Sequence, residues 1–162
     1  MFKLRDFPTN DELQKFEEQY PSFNKNNLFV FLNALKKGTQ LLELLDDYLS
    51  EYNLLHGRFM TLIILERSLE GEETISALAQ KQDVKKPTMT RIISSLQSMD
   101  LIEVVDCGSD ARAKKVKNTP KAVNLLSQIM PGYYSLINDI CSDLTDDEAM
   151  SLIKLLGQLK SE

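Results

Sequence analysis

Between Thr88 and Ser95 the chain reads Thr-Met-Thr-Arg-Ile-Ile-Ser-Ser, which places four hydroxyls and one guanidinium within eight residues. No carboxylate or imidazole stands among them to activate a nucleophile, so the set is not built for proton transfer. It is built for hydrogen bonding. At about 100° per residue, Pro87, Arg91, Ser94 and Ser98 share one helix face, flanked by Thr88, Thr90 and Ser95. Met89, Ile92, Ile93 and Leu96 follow the i, i+3, i+4, i+7 spacing and form the opposite, apolar stripe. A merely solvated face, the alternative, usually mixes Glu and Lys in i, i+4 pairs. This one meets no acid before Asp100. Small polar side chains around one Arg suit a helix that enters a major groove and meets base edges.

The elements that must position this helix lie on either side of it. Upstream, Thr74 can cap a short helix carrying Ile75, Leu78 and Ala79 on one face. A turn is expected over residues 82–86, and Pro87 suits the first position of the next helix, which is expected to run to about Met99. Downstream, Leu101–Val105 and Lys115–Lys117 alternate as a two-stranded ribbon, with Cys107-Gly108-Ser109-Asp110 as its turn. Arg112, Lys114, Lys115, Lys117 and Lys121 make the return strand basic. Helix, turn, helix and basic hairpin in this order form a winged-helix arrangement.

Over these residues the chain resembles the MarR-type winged-helix transcriptional regulators. The likeness is carried by ISALAQKQDVKKPTMTRIISSLQSMDLIE, by Asp110-Ala111-Arg112 in the wing, and by Thr119-Pro120-Lys121 opening the next helix. The resemblance implies a wing Arg that reaches the minor groove and an Asp that orients it, roles that fall on Arg112 and Asp110. It also implies ligand-modulated repression by a homodimer, with an effector pocket beside Phe59 and Leu62 and part of the first long helix. The chain departs from the family pattern at Asp100, where Gly is usual, and at Val104, where Arg is usual. It departs again at Asn118-Thr119-Pro120-Lys121-Ala122, in place of Leu-Thr-x-x-Gly.

Charge distribution agrees with a nucleic-acid partner although the total does not. The chain of 162 residues carries a formal charge of −5. From Lys81 to Lys121 there are nine Lys or Arg against five Asp or Glu, a local +4, and the remainder is −9. A basic island can meet DNA locally while the rest of the surface repels it. The candidate DNA contacts are Thr88, Thr90, Arg91, Ser94 and Ser95 in the groove, with Lys85, Lys86, Lys114, Lys115 and Lys117 on phosphates.

Length and composition fit a single core of ordinary size, with 43% hydrophobic and 27% charged residues. No long apolar run and no cationic apolar leader occurs, so a cytoplasmic location is expected. Cys107 and Cys141 make no disulfide framework; Cys141 falls on an apolar stripe and is expected in the core. His56 is the only histidine and has no ligand cluster around it, so no metal is expected. No Ser-His-Asp or Cys-His arrangement and no phosphate-binding glycine loop is present, which argues against an enzyme and against a cofactor.

The remaining chain is helical. Thr9 and Glu12 have capping-box spacing before a helix over about 10–20. A long helix is expected from Lys25 to about Tyr52, striped by Leu28, Phe31, Leu32, Leu35, Leu42, Leu45 and Leu49, and another from His56 to Leu69. Past the wing, Pro131 predicts a kink or short break in a helix opened by Thr119-Pro120. Thr145 and Glu148 make a second capping box ahead of Met150, Ile153, Leu156 and Leu159. The expected fold is mainly α, a winged helix-turn-helix module with long flanking dimerisation helices and a small β-hairpin wing. Residues 1–55 would be an N-terminal extension and dimerisation helix, 56–118 the DNA-binding module, and 119–162 the C-terminal dimerisation helices. The expected function is a homodimeric DNA-binding repressor on an inverted-repeat duplex. The alternative is a winged-helix module that binds protein and not DNA.

Overall fold

The computed structural model describes residues 8–105 and 115–160. The chain divides into two units, Met1–His56 and Gly57–Glu162.

The first unit holds α1 (Asn10–Gln19) and α2 (Lys25–Ser50). The Thr9 backbone N–H donates to Glu12 Oε2 at 2.8 Å and the Glu12 N–H donates to Thr9 Oγ1 at 3.4 Å, so the predicted capping box is closed from both ends. Phe16 stacks with both Tyr20 and Phe23 at ring-centroid distances of 6.0 and 6.3 Å, folding the chain past Pro21 toward α2. Lys25 Nζ donates to Asn10 Oδ1 at 2.9 Å across the same corner. Of the α2 stripe only Leu49 is fully buried; Phe31 and Leu35 are exposed, Leu28, Leu32, Leu42 and Leu45 are half-buried, and Val30, Leu41 and Leu44 beside the stripe are exposed too.

The second unit continues α3 (His56–Glu66) and adds β1 (Glu72–Thr74), α4 (Ile75–Lys81), α5 (Lys86–Ser98), β2 (Ile102–Val105), β3 (Lys115–Asn118), α6 (Pro120–Cys141) and α7 (Asp146–Leu156). Its core is assembled from the apolar stripes of the central helices. Phe59, Leu62 and Leu65 of α3, Leu78 of α4, and Met89 and Leu96 of α5 are fully buried, together with Val116 of β3 and Ile129 of α6. Each such side chain contributes about 1.5–3 kcal/mol relative to exposure. The one buried polar side chain among the described residues, Thr61, is satisfied within this core. Its hydroxyl lies 2.8 Å from the Gly57 carbonyl and donates to the Gln82 side-chain oxygen at 2.7 Å, which ties the end of α4 to α3.

The strands form an antiparallel sheet in the order β1-β3-β2, with Glu73 and Val104 both opposite Val116. Sequence periodicity leads to a two-stranded ribbon; the third strand, β1, joins it at the other edge of β3. Asn118 Nδ2 donates to the Leu62 carbonyl at 3.0 Å and to Glu66 Oε2 at 3.1 Å, anchoring β3 on α3.

Three expectations change. Helix α3 ends at Glu66, not at Leu69, because the chain must turn through Gly71, at φ 69°, to enter β1. Helix α6 runs unbroken through Pro131. A proline removes only one ladder donor, while Ala122, Leu126 and Ile129 are buried on one side of it and Tyr133 meets Phe59 at 5.0 Å on the other. Cys141 is exposed, not core, because α6 has no fully buried residue beyond Ile129 and residues 138–141 are all exposed. Cys107 lies outside the described residues.

Candidate nucleic-acid interface

Helix α5 is presented by an interlocked turn. The Val84 N–H donates to the Ala79 carbonyl at 2.9 Å, and Asp83 adopts φ 50°, a left-handed conformation that Asp tolerates better than most residues. The helix starts at Lys86, so Pro87 takes its second position and not its first. Met89, Ile93 and Leu96 are buried and Ile92 half-buried, as the stripe requires. The other face is open: Lys85, Lys86, Thr88, Thr90, Arg91 and Ser94 are exposed and Ser95 is half-buried.

The N-terminus of α5 differs from those of α1 and α7. Those two have capping boxes and acids in their first turns, whereas α5 has neither a side-chain cap nor an acid there. Its N-cap is Lys85 and its first residue Lys86, two cations at the positive end of the helix dipole. That arrangement is unfavourable for the isolated helix and favourable for an anion brought to it. Lys85, Lys86 and Arg91 hold no ion pair with any described residue. Thr90 donates its hydroxyl to the Lys86 carbonyl at 3.0 Å, which leaves its oxygen as an acceptor.

The end of α5 is fixed to the start of α6. Asp100, at the position where the family usually carries Gly, has φ 57°, the left-handed turn that explains the glycine preference. Its carbonyl accepts from Thr119 Oγ1 at 2.7 Å, and Lys121 Nζ donates to the Met99 carbonyl at 2.8 Å. The Lys121 charge is thereby engaged in holding this corner.

At the base of the wing the lysines are paired. Lys115 Nζ lies 2.6 Å from Glu72 Oε1 and 3.1 Å from Glu70 Oε2, and Lys117 Nζ lies 3.1 Å from Glu103 Oε1. Lys81 pairs with Glu73. Hydrogen bonds to Glu72, and then to Glu70, hold the Lys115 ammonium above the ordinary lysine range. The acids of β1 and the preceding turn are the residues that sequence reasoning missed. Their signal is faint: Glu72 and Thr74 alternate in step with Lys115 and Lys117, but only over three residues. Asp110, Arg112 and Lys114 lie outside the described residues. Among the described residues no group of three or more His, Cys, Asp or Glu is placed to hold a metal, and no helix is long and apolar enough to cross a membrane.

No family model matches the chain. It is 22% identical over 157 residues to the HTH-type transcriptional repressor YetL of Bacillus subtilis, covering 97% of this chain and 94% of that protein. Among solved structures, a MarR family transcriptional regulator from Streptomyces coelicolor in complex with DNA superposes with a TM-score of 0.79 at 19% identity. The match covers 86% of this chain and 91% of that one. The M. tuberculosis regulator MosR, also in complex with DNA, superposes with a TM-score of 0.63 at 26% identity over 78% of this chain and 91% of that one. The resemblance to MarR-type regulators is therefore one of the whole fold: this chain has the MarR-type winged-helix fold.

Proposed function

We propose that this protein is a cytoplasmic, homodimeric, sequence-specific DNA-binding transcriptional regulator, a repressor whose grip on its operator a small-molecule effector modulates. One observation carries the reading. Helix α5 exposes an acid-free face in which Arg91 and short hydroxyls stand beyond an uncapped N-terminus bearing Lys85 and Lys86. A phosphate at that terminus would meet the Lys86 N–H, since Pro87 has none and the Thr88 N–H already donates to the Lys85 carbonyl at 2.9 Å, and would offset both lysines, while the face beyond it would meet base edges. The repressor YetL and the DNA-bound regulators with the same fold support the same role for this chain.

In this reading Lys85 and Lys86 contact phosphate, and Arg91, Thr88, Thr90, Ser94 and Ser95 enter the groove. Arg112, oriented by Asp110, enters the adjacent minor groove, and Lys114 meets the backbone beside it. Lys115 and Lys117 stand at the wing base with part of their charge already shared. The homodimer is supported by apolar surface that each unit leaves open, including Phe31 and Leu35 on α2 and Met150 and Ile153 on α7.

Selection from a pool of random duplexes tests the reading. The purified full chain should recover an inverted repeat with half-sites about one helical turn, or a multiple of it, apart. On the recovered duplex, Arg91→Ala should weaken binding by about 1–3 kcal/mol and relax base preference at one position. Equal losses on the recovered and an unrelated duplex would move Arg91 to the backbone. Failure to bind any duplex at low salt would favour the protein-binding alternative.

A further inference from the structure

The outer face of the wing sheet is a ladder of opposite charges. Strand alternation puts Lys115 and Lys117 of β3 on the face opposite the buried Val116. The register sets Glu72 of β1 and Glu103 of β2 on either side of Lys117, and Thr74 and Val105 on either side of Lys115. Lys115 reaches diagonally along this face to Glu72, and beyond the strand to Glu70 in the turn after α3. With Gly71 at φ 69° between them, the two carboxylates converge on one ammonium. The side chains of Lys115 and Glu72 are only 29% and 22% exposed, so this arm of the cluster is partly withdrawn from water.

We propose that Lys115 is a positioning residue for DNA binding, a clamp that fastens the return strand of the wing to β1 and to the α3–β1 turn, and not a phosphate contact. The inference rests on the DNA-binding reading above. Two features decide between the roles. First, the ammonium is already engaged by two carboxylates, and in the cleft that Arg67, Lys81 and Lys115 share with Glu70, Glu72 and Glu73 cations and acids balance, so a phosphate meets no net attraction there. Second, the clamp sits where position matters: Lys115 opens β3, and Arg112 precedes it by three residues in the chain. An ammonium with three rotatable donors can serve both carboxylates at once. Binding free energy is then lost through misplacement of the wing, not through a missing counterion.

The two roles give opposite signs in one experiment. Binding of the full chain to the duplex recovered by selection, and to an unrelated duplex of equal length, is measured across salt concentrations for four proteins. These are the wild type, Lys115→Met, Glu70→Gln with Glu72→Gln, and Lys115→Glu with Glu72→Lys. Amide hydrogen exchange in β1 and β3 is followed on the same samples. A positioning role predicts that Lys115→Met weakens binding by roughly twofold to fivefold with the salt slope unchanged. The double Gln variant should weaken it in the same direction, and the charge swap should recover most of the loss. Exchange at the β1–β3 pairs should quicken in the first two variants and recover in the swap. A phosphate role predicts that freeing Lys115 with the double Gln variant tightens binding. It also predicts that Lys115→Met flattens the salt slope by about 0.9, the change for one phosphate left unneutralised. Either result overturns the proposal, as does a Lys115→Met protein that matches wild type in both affinity and exchange. If the wild type binds neither duplex, the DNA-binding reading itself fails, and the exchange data still report on the clamp.

Discussion

Helices α5 and α7 are of similar length, 13 and 11 residues, and both are amphipathic, yet each leaves open what the other completes. Helix α5 buries Met89, Ile93 and Leu96 within its own chain but has an uncapped N-terminus flanked by lysines. Helix α7 buries no residue at all, with Met150, Ile153, Leu155 and Leu156 each more than half exposed, but its N-terminus is closed by a full capping box and three acids. The polar end of α5 and the apolar face of α7 are therefore the unfinished surfaces. In the proposed reading an anion would complete the first and an apolar partner the second. The contrast separates two uses of the same amphipathic pattern: a stripe shows that a face is to be covered, but not which molecule covers it.

The largest expected effect comes from breaking what α5 completes. Leu96→Ala removes a side chain with no exposure and should destabilise the protein by about 2–5 kcal/mol. Urea denaturation should show the midpoint falling without a change in slope. A loss under about 1 kcal/mol would mean that the site collapses around the gap and that the α5 stripe is not the pillar of the module.

Much of this contrast was legible in the residues. The helix-turn-helix order, the α5 stripe, both capping boxes and the long α2 follow from spacing alone, because helix periodicity and caps are local. What was not legible is non-local. Strand β1 is three residues, Glu72-Glu73-Thr74, with no apolar alternation, and it is a strand only because β3 lies beside it. The Lys115 pairs join residues more than forty positions apart, so the return strand looked like a row of available cations. Cys141 failed for a related reason: its stripe is apolar, but this part of α6 buries nothing in its own chain. The offset of Pro87 by one position is smaller. Lys86 fits the first helical position as well, since no backbone donor is needed from the first turn.

An intermediate effect should come from breaking what α7 lacks. Ile153 is 65% exposed, so in a lone chain Ile153→Asp should change stability by no more than about 0.5 kcal/mol. In the proposed homodimer the same side chain is covered, and burying an Ile contributes about 1.5–3 kcal/mol per protomer. The wild-type melting temperature should then rise with protein concentration and the variant's should not. Light scattering should show the variant as a monomer at concentrations where the wild type is a dimer. A monomeric wild type would leave α7 uncovered and remove the contrast.

The smallest expected effect concerns the end that α7 does complete. The Thr145 backbone N–H donates to Glu148 Oε2 at 2.9 Å and the Thr145 hydroxyl donates to the same oxygen at 2.8 Å. These bonds, the backbone one foremost, lower the Glu148 carboxyl pKa below its ordinary value. A carboxyl lowered on folding stabilises the folded state fully above its unfolded pKa, and that contribution fades as pH falls through the folded one. Glu148 is solvent-exposed, so the global effect is slight and the local one is the better measure. The Thr145 amide resonance should shift in acid with a midpoint below the ordinary glutamate range in the wild type. In Glu148→Gln, where an uncharged acceptor keeps the reciprocal bond, that shift should vanish while the amide stays protected from exchange. A second test sharpens the contrast at α5, whose first turn has no acid to titrate. In DNA-free protein carrying Asp83→Asn, which removes the acid of the preceding turn, its first-turn amides should show no carboxyl titration in acid. A titration that persists in that variant would mean that an acid from elsewhere in the chain already occupies the N-terminus proposed to take phosphate.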